Sequence, residues 1–237
     1  MKLSILIPVF NEEKTITKVL DAVAKVDFGD IKKEIIVIND GSTDMTERKI
    51  KEWIKRNKTI NCVVYSQENK GKGAAISNGI QKATGEYIVI QDADLEYNPE
   101  EIKKLLQLHK EKNVDVVYGT RLHRLPNLQR DERNLFVLHY FGNRGLSLLT
   151  SLLYGQWITD METCYKLFPT KVFQKEKLQS RGFELEPEIT AKLIKKGYKI
   201  HEVPITTNPR GYEEGKKLHA GKDGIKALAA LIKYRFI

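Results

Sequence analysis

The sequence predicts an α/β protein built on a mostly parallel central sheet flanked by helices. Three observations lead there. Short apolar runs alternate with stretches of helical periodicity through the first half of the chain. One run, Glu34-Ile-Ile-Val-Ile-Asn39, is apolar on both faces, as a central parallel strand must be. The runs are separated by clusters of Asn, Asp, Gly and Pro that suit turns and helix ends. The chain has 237 residues, 41% hydrophobic, enough to bury a core without staples.

In order, Lys2 to Phe10 reads as a first strand. Asn11 is a candidate cap for a helix with Glu12 and Glu13 in its first turn and Ile16, Val19, Leu20 and Val23 on one face. Glu34 to Asn39 is a second strand, and Asp44 with Glu47 has the spacing of a capping box for a helix through Trp53. Cys62 to Tyr65 is a third strand. The Gly71-Lys72-Gly73 loop leads into a helix from Ala74 to Ala83, with Gly85 as its expected C-cap. Tyr87 to Gln91 is a fourth strand, Asn98-Pro99 starts the next helix, and Val114 to Tyr118 is a fifth strand. Beyond Gly119 the rhythm changes. Residues 121–134 read as a polar loop, and Leu135 to Tyr154 as an apolar stretch broken by Gly142-Asn143-Arg144-Gly145. Glu186-Pro187 opens a helix that Gly197 closes, Lys199 to Thr206 reads as a strand, residues 208–222 as a loop, and a helix follows to the end. No repeat or low-complexity linker divides the chain, so residues 1–237 are expected to form one domain, with 1–119 as one half and 120–237 as a C-terminal extension.

Cys62 and Cys164 lie in unlike contexts without metal-ligand spacing, which suggests two reduced thiols in a cytoplasmic protein. The opening apolar run is stopped by Pro8 and reads as a strand, not a signal peptide, and no stretch reaches the ~20 apolar residues of a membrane span. The net charge of +9 leaves three partner classes: nucleic acid, an anionic membrane surface or a phosphorylated substrate. No arginine-rich or aromatic–basic run marks a nucleic-acid face.

Ligands of open parallel sheets bind outside the carboxyl ends of the strands. Three polar clusters are expected there: Pro8-Val9-Phe10-Asn11-Glu12, Asn39-Asp40-Gly41-Ser42-Thr43-Asp44 and Gln91-Asp92-Ala93-Asp94-Leu95-Glu96. Asp92 and Asp94, one residue apart off a buried strand, repel unless something positive lies between them. Mg²⁺ or Mn²⁺ suits such hard oxygen ligands and leaves positions open for phosphate. The alternative is a pair of turn aspartates capping the next helix, a role that Asn98-Pro99 already fills. Glu96 is either a third ligand or a solvated acid.

Ser4-Ile-Leu-Ile-Pro-Val-Phe-Asn-Glu-Glu13, Val37-Ile-Asn-Asp-Gly-Ser-Thr-Asp44, Gly71-Lys-Gly and Gln91-Asp-Ala-Asp-Leu95, in that order and spacing, resemble the family 2 glycosyltransferases of GT-A, Rossmann-like fold. Within that family the likeness is greatest to the dolichol-phosphate mannosyltransferase-like and polyprenyl-phosphate glycosyltransferase branch. Ile158-Thr-Asp-Met-Glu-Thr-Cys-Tyr-Lys166 and Arg210-Gly-Tyr-Glu-Glu-Gly-Lys-Lys217 resemble the same group. The resemblance implies that Pro8, Phe10, Glu12, Asp40 and Lys72 border the nucleotide. Asp92-Ala93-Asp94, with Glu96 in a place where the group often has glutamine, would hold the metal on the diphosphate. Arg121 is then a candidate for the acceptor or sugar phosphate, or a solvated loop arginine, and Arg210, Lys216 and Lys217 would close over the diphosphate.

The implied reaction is inverting transfer from a nucleotide sugar, a GDP- or UDP-sugar with GDP-mannose placed first. The acceptor is a polyprenyl or dolichyl phosphate at the cytoplasmic membrane face, with residues 135–154 and the basic surface suited to peripheral association. An ionised lipid phosphate needs no base. A saccharide or other hydroxyl acceptor does, and Asp160 or Glu162 is the candidate, Asp160 alternatively ordering the Thr159–Tyr165 turn. Glu184, Glu186 and Glu188 read as helix-start acids. A non-catalytic nucleotide-sugar-binding protein is the remote alternative.

Overall fold

The computed structural model describes residues 1–123, 134–210 and 220–237, with side chains of 134–139 and 220 excepted. Among the described residues, seven strands make one sheet: β1 (Lys2–Val9), β2 (Lys32–Asp40), β3 (Cys62–Gln67), β4 (Tyr87–Ile90), β5 (Val116–Thr120), β6 (Lys166–Pro169) and β7 (Ile200–Pro204). Their spatial order is β3-β2-β1-β4-β6-β5-β7. β1 pairs in parallel with β2 and β4, β2 with β3, and β5 with β7, while β6 runs antiparallel to both β4 and β5. The expected mostly parallel sheet is therefore present, with one reversed strand that the sequence pattern did not reveal.

The helices are α1 (Ile16–Lys25), α2 (Thr46–Arg56), α3 (Lys72–Lys82), α4 (Ile102–Lys112), α5 (Asn134–Tyr154), α6 (Lys171–Gln174), α7 (Leu185–Lys195) and α8 (Ala220–Phe236). α1 buries the expected Ile16, Val19, Leu20 and Val23 against a core continuous with the apolar residues of β1, β2 and β4. Pro8 is tolerated in β1 because pairing with β4 stops at Leu6, so its missing N–H costs no ladder bond on that side.

Several local expectations change. Asn11 does not cap α1, which begins at Ile16. It adopts φ 49° and ties the loop after β1 to the loop after β2, its backbone N–H donating to Ser42 Oγ (3.0 Å) and its Oδ1 accepting from Thr43 N–H (2.8 Å). The Asp44–Glu47 capping box is not formed. Asp44 accepts from Thr46 N–H, while Glu47 turns to Asn39 and Lys51. Gly85 is not a left-handed C-cap: a Cβ there would lie 2.6 Å from Ser4 Oγ and 2.8 Å from Lys2 O, so its role is close approach to β1. Asn98 does cap as expected, accepting from Glu100 N–H above Pro99. Residues 134–154 form one helix straight through Gly142–Gly145, where no neighbouring atom would meet an added Cβ at either glycine. Among the described residues no helix is long and apolar enough to cross a membrane. Cys62 and Cys164 are buried and unpaired with one another.

The reversed strand positions the second half of the site. Because β6 runs down the sheet, its start, Lys166, and the segment 158–165 before it lie at the edge where β1, β2, β4 and β5 end. Tyr165 O accepts from Gly119 N–H (2.8 Å), and Tyr165 OH donates to Gln91 (2.5 Å).

Candidate active site at the carboxyl edge of the sheet

Asp92 and Asp94 follow β4 directly, held by a turn in which Leu95 takes φ 65° and Glu96 N–H donates to Asp94 Oδ1 (3.1 Å). Gln91 braces the turn from beneath, its amide donating to the carbonyls of Asp92 (2.9 Å) and Tyr97 (3.3 Å). Lys72, the first residue of α3, reaches Asp92 Oδ1 at 2.7 Å and lies 3.9 Å from Glu186. Burial pushes the Asp92 carboxyl up, but Lys72 outweighs burial and holds it below the usual carboxylate range. Asp94 has no such close partner. Burial first, then the charges of Asp92 and Glu96, push it up to about 7.

Arg210 arrives from the far side. Thr207 bridges to Tyr97, and Asn208 N–H donates to Glu96 O (2.8 Å), so the segment after β7 crosses the Asp94–Tyr97 turn. The Arg210 guanidinium then contacts Glu12 (3.2 Å to each oxygen), Asp94 (3.4 Å) and Glu96 (3.9 Å). Lys216 and Lys217 lie outside the described residues, as do most of the two loops expected at 121–134 and 208–222.

Asp40 is buried, and both its oxygens accept hydrogen bonds: Oδ1 from Gln67 (2.7 Å) and Lys70 N–H (2.9 Å), Oδ2 from Gly71 N–H (2.8 Å). It thus fixes the Gly71–Gly73 loop under Lys72. That loop has no room for side chains, since a Cβ at Gly71 or Gly73 would stand 2.3 Å from a backbone carbonyl of Arg181 or Ser180. Pro8 is buried within β1, Phe10 is half-buried where β1 ends, and Ala93 is buried between the two aspartates.

The segment before β6 adds a second charged group. Arg121 clasps Asp160 through Nε (2.7 Å), Nη2 (2.7 Å) and its own backbone N–H (2.8 Å). The turn carrying Asp160 is fixed by Glu202 of β7, which accepts from the N–H groups of Thr159 and Asp160. Glu162 keeps one buried oxygen without a partner, and burial pushes its carboxyl up to about 7. Lys166 and Glu186, both buried, form an ion pair beside it.

Sequence reasoning missed this Lys166–Glu186 pair. Glu186 does stand in the first turn of α7 as a helix-start acid, yet its carboxylate serves the site. No linear spacing links positions 166 and 186. The only signal was a lysine opening an otherwise apolar Lys-Leu-Phe run. Glu184 and Glu188 do act on the helix start, accepting from Arg181, Gly182, Gln179 and Ser180 N–H groups.

Seven carboxylates (Glu12, Asp92, Asp94, Glu96, Asp160, Glu162, Glu186) thus meet four cationic side chains (Lys72, Arg121, Lys166, Arg210) along this edge. An anionic ligand would not enter so acidic a cleft unaided, and a hard divalent cation fits its oxygen donors. Among the described residues no three His, Cys, Asp or Glu side chains converge as a metal-holding group. Asp92 and Asp94 are the residues that could hold such an ion, with other ligands completing its coordination shell.

An open, mostly parallel sheet with clustered carboxylates at its carboxyl edge and cationic side chains around them is the arrangement of an α/β ligand-binding site. The comparisons make the class specific. The family model described as glycosyl transferase family 2 matches residues 4–176, and the protein belongs to that family. It is a glycosyltransferase. It is 28% identical over 221 residues to a UDP-N-acetylglucosamine–dolichyl-phosphate N-acetylglucosaminyltransferase of Methanococcus voltae, covering 86% of this chain and 84% of that one. It is 29% identical over 212 residues to the low-salt glycan biosynthesis hexosyltransferase Agl6 of Haloferax volcanii, covering 88% of this chain and 48% of the relative. Glucosyl-3-phosphoglycerate synthase of Mycobacterium tuberculosis, solved with Mn²⁺, UDP and glucosyl-3-phosphoglycerate, superposes with TM-score 0.70 at 19% identity over 100% of this chain and 80% of that one. The fold is GT-A.

Proposed function

We propose that the protein transfers a hexosyl unit from a nucleotide sugar to a polyprenyl or dolichyl phosphate, with Mg²⁺ or Mn²⁺ held by Asp92 and Asp94. The observation carrying this reading is the contrast at the acidic pair: Asp92 is matched by Lys72 at 2.7 Å, while Asp94, crowded by Asp92 and Glu96, has Arg210 only at 3.4 Å and shares it with Glu12 and Glu96, so negative charge predominates around it. A divalent ion there would neutralise that charge and, as a Lewis acid, ease departure of the diphosphate. Lys72 and Arg210 flank the same place and would stabilise charge growing on the leaving group. The anomeric carbon–oxygen bond to the nucleoside diphosphate breaks as a phosphate oxygen of the acceptor bonds to that carbon from the opposite face. Arg121, fixed by Asp160, would orient the acceptor phosphate. Uridine in the names of one relative and one structural neighbour moves a UDP-sugar ahead of the GDP-mannose first expected.

A hydroxyl acceptor is the second reading, and one observation favours it: Glu162, with its carboxyl at about 7 and a buried unpartnered oxygen, has the character of a general base. Asp160, saturated by Arg121 and fully buried, does not. The deciding experiment incubates the protein with labelled UDP- and GDP-sugars, a polyprenyl phosphate or a saccharide, and Mg²⁺, Mn²⁺ or chelator. Label reaching the lipid only with metal is the expected result. Label reaching only the saccharide selects the second reading. Metal-independent transfer, or none, refutes the metal-assisted site.

A further inference from the structure

The strands alone do not join the two sides of the cleft at the site. Pairing of β4 with β6 ends at Val89 and Leu167, short of both Asp92 and Tyr165. Beyond that point the Asp92–Tyr97 turn and the segment 158–165 meet through side chains. Tyr97, 5% exposed, reaches from the turn into the segment, its hydroxyl accepting from Cys164 N–H (3.1 Å). Tyr165, fully buried, reaches back, its hydroxyl donating to Gln91 Oε1 (2.5 Å). Gln91 in turn donates to the Tyr97 carbonyl (3.3 Å), so each tyrosine is tied to the other's segment. The two rings pack 4.7 Å apart between centroids with a 50° tilt, and the Arg121 guanidinium stands 5.9 Å from the centroid of Tyr97.

We infer that Tyr97 and Tyr165 are positioning residues that fix the distance between the Asp92–Asp94 turn and the segment carrying Asp160 and Glu162, and through Asp160 the distance to Arg121. A tyrosine suits the task, being a rigid ring with a hydrogen-bonding group at its far end. Burial locks both hydroxyls to their partners, because a buried polar group left unpaired is costly.

The inference rests on the proposed transfer, in which the donor diphosphate sits at the turn and the acceptor at Arg121. An acceptor oxygen must meet the anomeric carbon opposite the departing phosphate, and a small misalignment of the two ligands costs much of the rate. A hydroxyl acceptor sets the same demand, because Glu162 lies on the segment that Tyr97 reaches. Each ligand binds to its own side of the cleft. A change in spacing therefore leaves both affinities alone and shows in turnover. Filling the core is the simpler role for two buried tyrosines, and it depends on the rings alone, which phenylalanine retains.

The test is steady-state transfer by Tyr97→Phe, Tyr165→Phe and the double variant, with the labelled UDP- or GDP-sugar and the polyprenyl phosphate or saccharide on which the parent acts. Each single variant should lose about tenfold in kcat, with both KM values within about twofold of the parent. Thermal stabilisation by UDP with Mn²⁺ should be unchanged, which shows the donor side intact. Both hydroxyls hold one spacing, so the double variant should lose less than the product of the single losses. Unchanged kcat in both single variants overturns the proposal. So does a raised KM at constant kcat, since the tyrosine would then serve one pocket, and so does a rate loss that only follows the fraction unfolded in melting curves at the assay temperature. No transfer by the parent on any acceptor refutes the glycosyl-transfer reading and this inference with it, whereas an active parent with indifferent variants refutes this inference alone.

Discussion

The two sides of the cleft hold their charges under different conditions. On the β1–β4 side, Lys72, Asp92, Asp94 and Arg210 keep side-chain exposures of 16–20%, and apart from Lys72–Asp92 their ion-pair contacts are long, 3.2–3.9 Å. On the β5–β7 side, Asp160 and Lys166 are fully buried and Glu186 nearly so, and Arg121 grips Asp160 with three donors. Partly exposed, loosely paired charges can be exchanged for those of a ligand at small desolvation cost. Fully buried pairs cannot, because separating them leaves an ion in a medium that solvates it poorly. The first side is built to trade partners and the second to keep its shape.

The sharpest way to break that contrast is Lys166→Met. It leaves Glu186 buried beside Glu162 without its cation, and a loss of about 3–5 kcal/mol is expected in urea unfolding. A loss within error would mean that the second side is as exchangeable as the first. Next comes Asp94→Asn, which should reduce metal-dependent transfer by about 10²–10³ while the unfolding midpoint moves little. Collapse of the fold together with activity would show that Asp94 holds structure instead of ligand.

The difference between the sides also explains what was legible in the sequence. Pro8, Phe10, Glu12, Asp40, Asp92 and Asp94 lie within a few residues of the ends of β1, β2 and β4, so reading the strands located them. Arg121 was found the same way, at the end of β5. Glu202 and the Lys166–Glu186 pair were not, because they meet only through the reversal of β6, a four-residue strand whose Lys-Leu-Phe-Pro carries no directional signal. The continuity of α5 through Gly142–Gly145 was not legible in the sequence for a related reason. Glycine lowers helix propensity locally, but Ser147, Thr150 and Ser151, just beyond the Gly142–Gly145 break, are buried on the inner face of α5, and packing overrides propensity.

Gly73→Ala probes the joint between the sides. Its Cβ would meet Ser180 O at 2.3 Å, and Gly73 N–H already donates to Arg181 O at 2.7 Å, so backbone must move. A destabilisation of about 1–3 kcal/mol and weaker nucleotide-induced thermal stabilisation are expected, because Lys72 shifts with the loop. Normal nucleotide stabilisation in this variant would uncouple the two sides.

The smallest effect expected is that of Glu162→Gln, and it is read as a function of pH. Burial, reinforced by Glu186 and Asp160 and opposed by Lys166 and Arg121, lifts this carboxyl from 4.5 to about 7. Between those values the folded protein holds a proton that the unfolded chain has released. The stabilising contribution is therefore complete below the unfolded pKa, declines as pH rises through this window, and changes no further above it. Glutamine cannot ionise, so the variant's melting temperature should fall less from pH 4.5 to 7 than that of the parent, and should exceed it above pH 7. Parallel curves would mean that Glu162 ionises freely and that this wall of the cleft is wetter than its packing indicates. Transfer assays on the same variant then separate the acceptors. A phosphate acceptor, ionised without help, should lose no more than a few-fold in rate, whereas a hydroxyl acceptor that depends on Glu162 as base should lose about 10²-fold or more.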